Sequence, residues 1–344
     1  MMNSFYLSTI IGILMVVIPN FCFSQTDLSG QSIDTIPHNT PEPYQAKPNK
    51  QVDYTYHQID ADSCKLFVKE AGNANGSPII FLHGGWGMEH SIFSPYFTQQ
   101  VDISEKHRIV FYDQRGSARS PCQDYESISV QKHVNDLELI RKKLDIDSFK
   151  IIAHSMGSYL AFQYLKEYDQ FVSDLLIIGS MPLKGGLREW AKTRRAIRKD
   201  VKQRPSFKEV MKAENLLGLK DEQINEKENS QMHKIAMAAN NLYKVQRWQF
   251  FNGAFSFNQK AAQAAASSMN PEWDFTETIK DLPFEPVFIL GSYDFLYQYN
   301  DSYMKSFNEN TNLKLYFLPK AGHVAWIDRP KTVKEIIENN WLKN

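Results

Sequence analysis

From about Gln51 onward the chain alternates short apolar runs with amphipathic stretches. Pro78-Ile-Ile-Phe-Leu82, Arg108-Ile-Val-Phe-Tyr112, Phe149-Lys-Ile-Ile-Ala153 and Leu175-Leu-Ile-Ile-Gly179 are near-continuous β-branched and aromatic runs. Such runs suit strands buried on both faces, as in a parallel sheet. Lys65-Leu-Phe-Val-Lys69 reads as a further strand. Between them, residues 130–144 set Val130, Val134, Leu137, Ile140 and Leu144 at three-to-four spacing, and residues 156–168 do likewise. That is the period of an amphipathic helix. The alternation predicts an α/β fold, a mostly parallel sheet flanked by helices.

The pattern stops near Met181-Pro182 and resumes at Pro286-Val-Phe-Ile-Leu-Gly291. The stretch between is rich in helix formers, with helices predicted over 187–201, 207–217, 231–250 and 259–268. It reads as a helical cap inserted at about 183–282 into one domain spanning 51–344. A strand at 313–318 and a helix at 332–341 close the chain. Residues 1–24 carry no Lys, Arg, Asp or Glu, and their apolar run from Leu7 to Ile18 falls short of the roughly 20 residues of a membrane span. It suits a signal peptide cut before Gln25, which implies a secreted or periplasmic protein with no stable membrane span after cleavage; an uncleaved leader acting as a membrane anchor is the alternative. Residues 25–50 are polar, contain four prolines, and read as a linker.

Composition narrows the classes. Lys+Arg and Asp+Glu both number 39, so the chain lacks the basic excess of a nucleic-acid binder. Three cysteines make no disulfide scaffold, and no pair has metal-ligand spacing. Once the leader is gone, Cys64 and Cys122 are the remaining thiols; a bridge and two half-buried free thiols both fit the sequence.

The sharpest motif is Ile152-Ala-His-Ser-Met-Gly-Ser158, between a buried strand and a helix. A serine hydroxyl becomes a nucleophile when a tight turn lifts it clear of the sheet, beside a base and an anion-stabilising site. Such an elbow needs small residues two before and two after the serine, here Ala153 and Gly157. Ser155 is therefore the candidate nucleophile. Phe81-Leu-His-Gly-Gly-Trp-Gly87 follows another strand, and its glycines let backbone N–H groups turn inward. The amide of Met156 and that of Gly85 or Trp86 are the candidate oxyanion donors, with His83 and Gly84 bracing the loop. In Phe111-Tyr-Asp-Gln-Arg-Gly-Ser-Ala-Arg-Ser120, Asp113 and Arg115 suggest an internally paired supporting loop. Of nine histidines, His323 lies in a loop after the last strand, where an imidazole can reach Ser155. His154 adjoins Ser155 but is expected to point away from it. Asp294, just beyond the strand ending near Leu290, is the candidate acid, with Asp301 and Asp328 as fallbacks. The order Ser155, Asp294, His323 is that of a hydrolase triad built on such a sheet.

With these motifs in hand, residues 78–182 and 286–329 resemble an α/β-hydrolase, most closely the proline iminopeptidase branch. That branch carries H-G-G-P-G, D-Q-R-G-S-G-R-S, G-G-S-W-G-S and a late G-x-x-D and G-H. They are matched imperfectly by His83–Gly87, Asp113–Ser120, Ala153–Ser158, Gly291–Asp294 and Gly322-His323. The resemblance implies a sheet of about eight strands, a helical cap, no metal or organic cofactor, and a small-molecule or short-peptide substrate. Trp86 stands where the branch has proline, Ala118 where it has glycine, Ala153 and His154 replace two glycines, and Met156 replaces tryptophan. In the cap, those peptidases hold the substrate's amine with acids, one following a tryptophan. Here the local match is Arg247-Trp248-Gln249, with neutral Gln249 in the acid's place, so Trp248 and Gln249 are the candidate substrate contacts.

Residues 183–282 hold 18 Lys+Arg against 12 Asp+Glu. A solvated helix face accounts for this, and so would a docking surface for anionic partners. Tyr243, Trp248, Phe250, Phe251 and Phe255 read as the cap's own core or as an acyl pocket. Three functions compete on these residues: an aminopeptidase, a carboxylesterase or lactonase, and a non-catalytic ligand-binding relative of the fold.

Overall fold

A computed structural model describes residues 52–93, 95–101, 103–201, 203–218, 226–251, 257–298, 303–309 and 312–343. The expected leader and linker, Phe255 and Asp301 lie outside the described residues.

The main sheet is built from β1 (Tyr54–Ala61), β2 (Cys64–Gly72), β3 (Ser77–Leu82), β4 (His107–Tyr112), β5 (Phe149–His154), β6 (Val172–Ile178), β9 (Val287–Gly291) and β10 (Lys314–Leu318). These eight strands lie in the order β1-β2-β4-β3-β5-β6-β9-β10. β1–β2 and β2–β4 are antiparallel, and every other pairing is parallel. The central strands are apolar because both faces are covered: Ile79, Ile80, Ile151, Ile152, Leu176 and Ile177 are fully buried. Each such side chain contributes about 1.5–3 kcal/mol relative to an exposed one. β1 was not foreseen. It is an edge strand with an irregular exposure pattern, so it carries no apolar run.

Helix α1 (Val130–Lys143) starts at Ser129, whose hydroxyl accepts from Lys132 N–H, and α2 (Met156–Tyr168) follows β5 directly. Between β6 and β9 come β7 (Lys184–Gly186), α3 (Leu187–Val201), α4 (Pro205–Ala213), α5 (Glu226–Asn241), a 3-10 turn (Val245–Phe250), α6 (Gln259–Ser267), β8 (Glu272–Asp274) and α7 (Thr276–Lys280). The two ends of this helical stretch meet, β7 pairing antiparallel with β8. Trp273 Nε1 donates to Pro182 O at 3.0 Å, and Phe275 N–H to Leu183 O at 2.8 Å. Closing the ends lets the chain re-enter the sheet beside the strand it left.

The helix expected over 231–250 breaks after Asn241. Asp328 accepts the amides of Tyr243 and Lys244 at 2.7 and 3.2 Å, which takes those donors out of a helical ladder. Cys64 and Cys122 are joined by a disulfide across a sequence separation of 58. Among the described residues no helix is long and apolar enough to cross a membrane.

Candidate active site

Ser155 sits between β5 and α2 at φ 53°, ψ −123°, a conformation costing a non-glycine residue about 1–3 kcal/mol. Its side chain makes no cap hydrogen bond to the helix it begins, so the hydroxyl is left for other work. The crossing with β3 enforces the small residue at 157, where a Cβ would stand 2.2 Å from Leu82 O. Met156 is the first residue of α2, so its N–H has no partner within the helix. The dipole of α2 adds to the attraction for negative charge at this spot.

The loop after β3 lies against the elbow. A Cβ at Gly84 would fall 2.7 Å from Ser155 Cβ. His83 is fully buried and ties the loop down: its Nε2 accepts Gln114 N–H at 3.0 Å and its carbonyl accepts Gln114 Nε2 at 2.9 Å. Burial lowers the His83 pKa to about 4, so it is a neutral brace at pH 7.

On the other flank, His323 Nδ1 lies 2.8 Å from Asp294 Oδ2. Asp294 Oδ1 accepts the Leu296 amide at 2.8 Å, which fixes the carboxyl plane. A carboxylate only accepts, so Nδ1 carries the hydrogen and Nε2 keeps its lone pair. That Nε2 is buried and has no hydrogen-bond partner. Gly179 makes room for the ring, since a Cβ there would be 2.8 Å from Nδ1. The structure thus brings Asp294 and His323 together directly, and sets Ser155, Met156 and Gly84 together at the elbow.

Asp328, a fallback acid, has another task. It accepts Gly322 N–H at 2.9 Å besides the amides of Tyr243 and Lys244, tying the His323 loop to the insertion. Burial raises its pKa. The expected internal pairing of the loop holds for Asp113, which accepts the amide of Arg119, and not for Arg115. Arg115 reaches helix α1, with Nε and Nη2 at 2.7 and 2.5 Å from Asp136, while Asp113 takes His90 Nδ1 at 2.6 Å and the amide of Arg119 at 3.1 Å.

His154 packs against His323: its ring is 4.6 Å from that of His323, and its Nε2 donates to His323 O at 3.2 Å. Burial, then the neighbouring His323, holds its pKa well below the ordinary range. Gln249 is exposed and Trp248 half-buried against the core beside Phe251. Among the described residues no hydrogen bond or ring contact links Trp248 or Gln249 to Ser155, His323 or Asp294.

Glu89, His90 and Asp113 are the one group of potential metal ligands within mutual reach among the described residues. Their donor atoms are already engaged, Glu89 Oε2 accepting Ser91 N–H at 3.2 Å and Asp113 Oδ1 facing His90 Nδ1. They close the turn that supports the loop.

The alpha/beta hydrolase fold family profile matches residues 77–330. The chain belongs to this family. Proline iminopeptidases are among its relatives: that of Xylella fastidiosa (strain Temecula1 / ATCC 700964) is 32% identical over 130 residues, 38% of this chain and 40% of the relative. The enzyme of Arabidopsis thaliana is 28% identical over 181 residues, 48% of this chain and 45% of the relative. The chain therefore aligns with less than half the length of these relatives. A proline iminopeptidase-related protein from Thermus thermophilus shares the fold at a TM-score of 0.61 and 18% identity, over 83% of this chain and 96% of its own. E-2-(acetamidomethylene)succinate hydrolase does so at 0.61 and 16%, over 85% and 100%.

Proposed function

We propose that this hydrolase is an exported serine hydrolase that transfers acyl groups to water through Ser155, His323 and Asp294. The carrying observation is the 2.8 Å contact of His323 Nδ1 with Asp294, which leaves Nε2 buried and unpartnered. In this reading Ser155 Oγ attacks the substrate carbonyl carbon while Nε2 takes its proton. The tetrahedral oxyanion is held by Met156 N–H and by the Gly85 or Trp86 amide. Collapse expels the leaving group, which receives the proton from His323; water then repeats the sequence and frees the serine. The helical insertion serves as a cap, since it meets both flanking loops: Asn241 O accepts Val324 N–H at 3.0 Å and Asn258 N–H donates to Gly87 O at 2.9 Å. The Cys64–Cys122 bridge fits export to an oxidising compartment.

The first substrate class is a short peptide with a free amino end, in keeping with the names of the relatives. A shallow depression open to solvent is lined by Met181, Pro182, Glu189, Trp190, Trp273 and Leu296. It touches the site through Met181 N–H on Ser158 Oγ and Leu296 N–H on Asp294. Glu189 is the acid on its wall, and the two indoles suit an ammonium. Neutral, exposed Gln249 and the basic face of α3 favour the second reading, a carboxylesterase or lactonase. Labelling with a fluorophosphonate tests the mechanism: an adduct is expected on wild type and none on Ser155→Ala, and a label that survives the substitution would refute it. Proline p-nitroanilide against p-nitrophenyl acetate separates the substrates, turnover of the ester alone removing the peptidase.

A further inference from the structure

The loop that carries the second oxyanion donor is held from outside, and the side chain that holds it is Trp86. Met88 N–H donates to Gly85 O at 3.0 Å, closing a turn whose central residues are Trp86 and Gly87, the latter at φ +74°. A turn with positive φ at its third residue favours proline at its second, because proline presets φ near −65°. Proline is what the resembling peptidases carry there. Trp86 gives up that preset and supplies an N–H that proline lacks. Among the described residues neither the Gly85 nor the Trp86 amide meets an acceptor.

The indole is buried and clamped by three elements. Its ring stacks on His133 of α1 at 4.8 Å and 17°, and meets Tyr159 of α2 edge-on at 6.5 Å. Its Nε1 donates to Met269 Sδ, at the end of the insertion, at 3.4 Å. His133 has both ring nitrogens buried without a partner, so hydrogen bonding does not explain its place; the stack under Trp86 does. Burial keeps that imidazole neutral. Close approach of α6 completes the clamp: Gly87 lets Asn258 O come within 2.3 Å of where a Cβ would be.

We propose that Trp86 is a positioning residue for the hydrolytic reaction: clamped between His133 and Met269, its indole replaces the rigidity of a proline and aims the Gly85 and Trp86 amides at the oxyanion. Through Met269 the insertion then acts on the chemical step as well as on substrate entry. The inference rests on Ser155 being the nucleophile.

The full chain and its Trp86→Ala, Trp86→Phe and Met269→Leu variants are compared by their second-order rate of labelling with a fluorophosphonate. Turnover of p-nitrophenyl acetate against pH is measured beside it. Trp86→Ala is expected to slow labelling by about 10²-fold, the scale of a misplaced oxyanion donor. KM should stay within about twofold and the acid limb of the pH profile should not move, because an oxyanion donor sets the height of the profile rather than its midpoint. Trp86→Phe keeps the stack and loses the N–H···S contact. It and Met269→Leu should slow labelling by about threefold to tenfold, the worth of one hydrogen bond. Wild-type labelling rates in a folded Trp86→Ala overturn the proposal, as does a rise in KM at constant kcat. Should Trp86→Ala not fold, wild-type rates in both other variants overturn it. A wild type that takes no label removes the nucleophile reading itself, whereas labelled wild type with unaffected variants removes the clamp alone.

Discussion

In the sheet and its flanking helices buried charges are closed in pairs, Arg115 with Asp136, Arg141 with Glu138 and Lys150 with Asp174, at 2.5–2.8 Å. In helix α3 of the insertion, Arg188, Lys192, Arg195 and Lys199 stand on one exposed face at spacings of four, three and four, and none forms an ion pair among the described residues. A charge removed from water must be matched, because an unmatched one costs several kcal/mol, whereas a solvated charge costs almost nothing. The sheet side is therefore over-determined and holds the candidate triad residues in one geometry. The outer face of α3 is under-determined. Substitutions should hurt in proportion to the side on which they fall.

The largest effect is expected at Asp294→Asn. Asn can keep one oxygen for the Leu296 amide, but its NH₂ then faces His323 Nδ1–H, donor against donor. The imidazole turns to the tautomer with its hydrogen on Nε2, which cannot take the proton from Ser155. kcat should fall by about 10³–10⁴-fold with little change in KM. Near-normal turnover of p-nitrophenyl acetate would place the orienting acid elsewhere.

The second effect is on stability. The Cys64–Cys122 bridge fastens the start of β2 to the loop after Asp113–Ser120, alongside Lys65 N–H on Pro121 O at 3.0 Å and Gln123 N–H on Ser63 O at 2.8 Å. Cys64→Ser should lower unfolding free energy by about 2–4 kcal/mol. Urea denaturation should show a reductant shifting wild type toward the variant and leaving the variant where it is. Equal midpoints for the two oxidised proteins would show that the bridge carries no stability.

Acid should also find the sheet side. His83, His133 and His154 are neutral in the fold, with pKa values lowered by burial, to about 4 for His83. Their contribution is present above the unfolded value near 6.5 and is lost as pH falls, because the unfolded chain takes protons the folded one refuses. Asp136, raised to about 6, and Asp328, also raised by burial, work the other way. With His107 also lowered by burial, four lowered histidines face two raised acids, so stability should be lost as the pH falls below about 6.5. Urea midpoints at pH 7, 6 and 5 should fall in that order, and a rise toward pH 5 would mean the acids outweigh the histidines.

The same contrast explains what the residues disclosed in advance. β3, β4, β5 and β6 were legible because burial on both faces demands continuous apolar runs, and the tight turn at residue 155 was legible because it needs the small Gly157 two residues on. β1 was not, since an edge strand leaves no such run. The contact of His154 with His323 spans 169 residues, and that of Trp86 with Met269 spans 183. Neither has any period or spacing along the chain. The break after Asn241 was hidden for the same reason: the residue that captures the next amides, Asp328, comes 85 positions after Tyr243. Local chemistry was read locally, and what positions it arrives from afar.

The smallest effect should come from α3, and its sign tests the contrast. Arg188, Lys192, Arg195 and Lys199 are like charges three or four apart, each such neighbour pair costing about 0.2–0.5 kcal/mol in a helix. Lys192→Glu turns the contacts of residue 192 with Arg188 and Arg195 into attractions and touches no buried group. Stability should rise by about 0.5 kcal/mol at low salt, and the gain should shrink as salt screens it. A loss of more than about 1 kcal/mol would mean that this face is matched by a partner within the chain, and the two sides would then differ in exposure alone. A gain, with turnover of p-nitrophenyl acetate unchanged, leaves a row of cations that folding does not require. The row must then be explained by what the protein meets in solution.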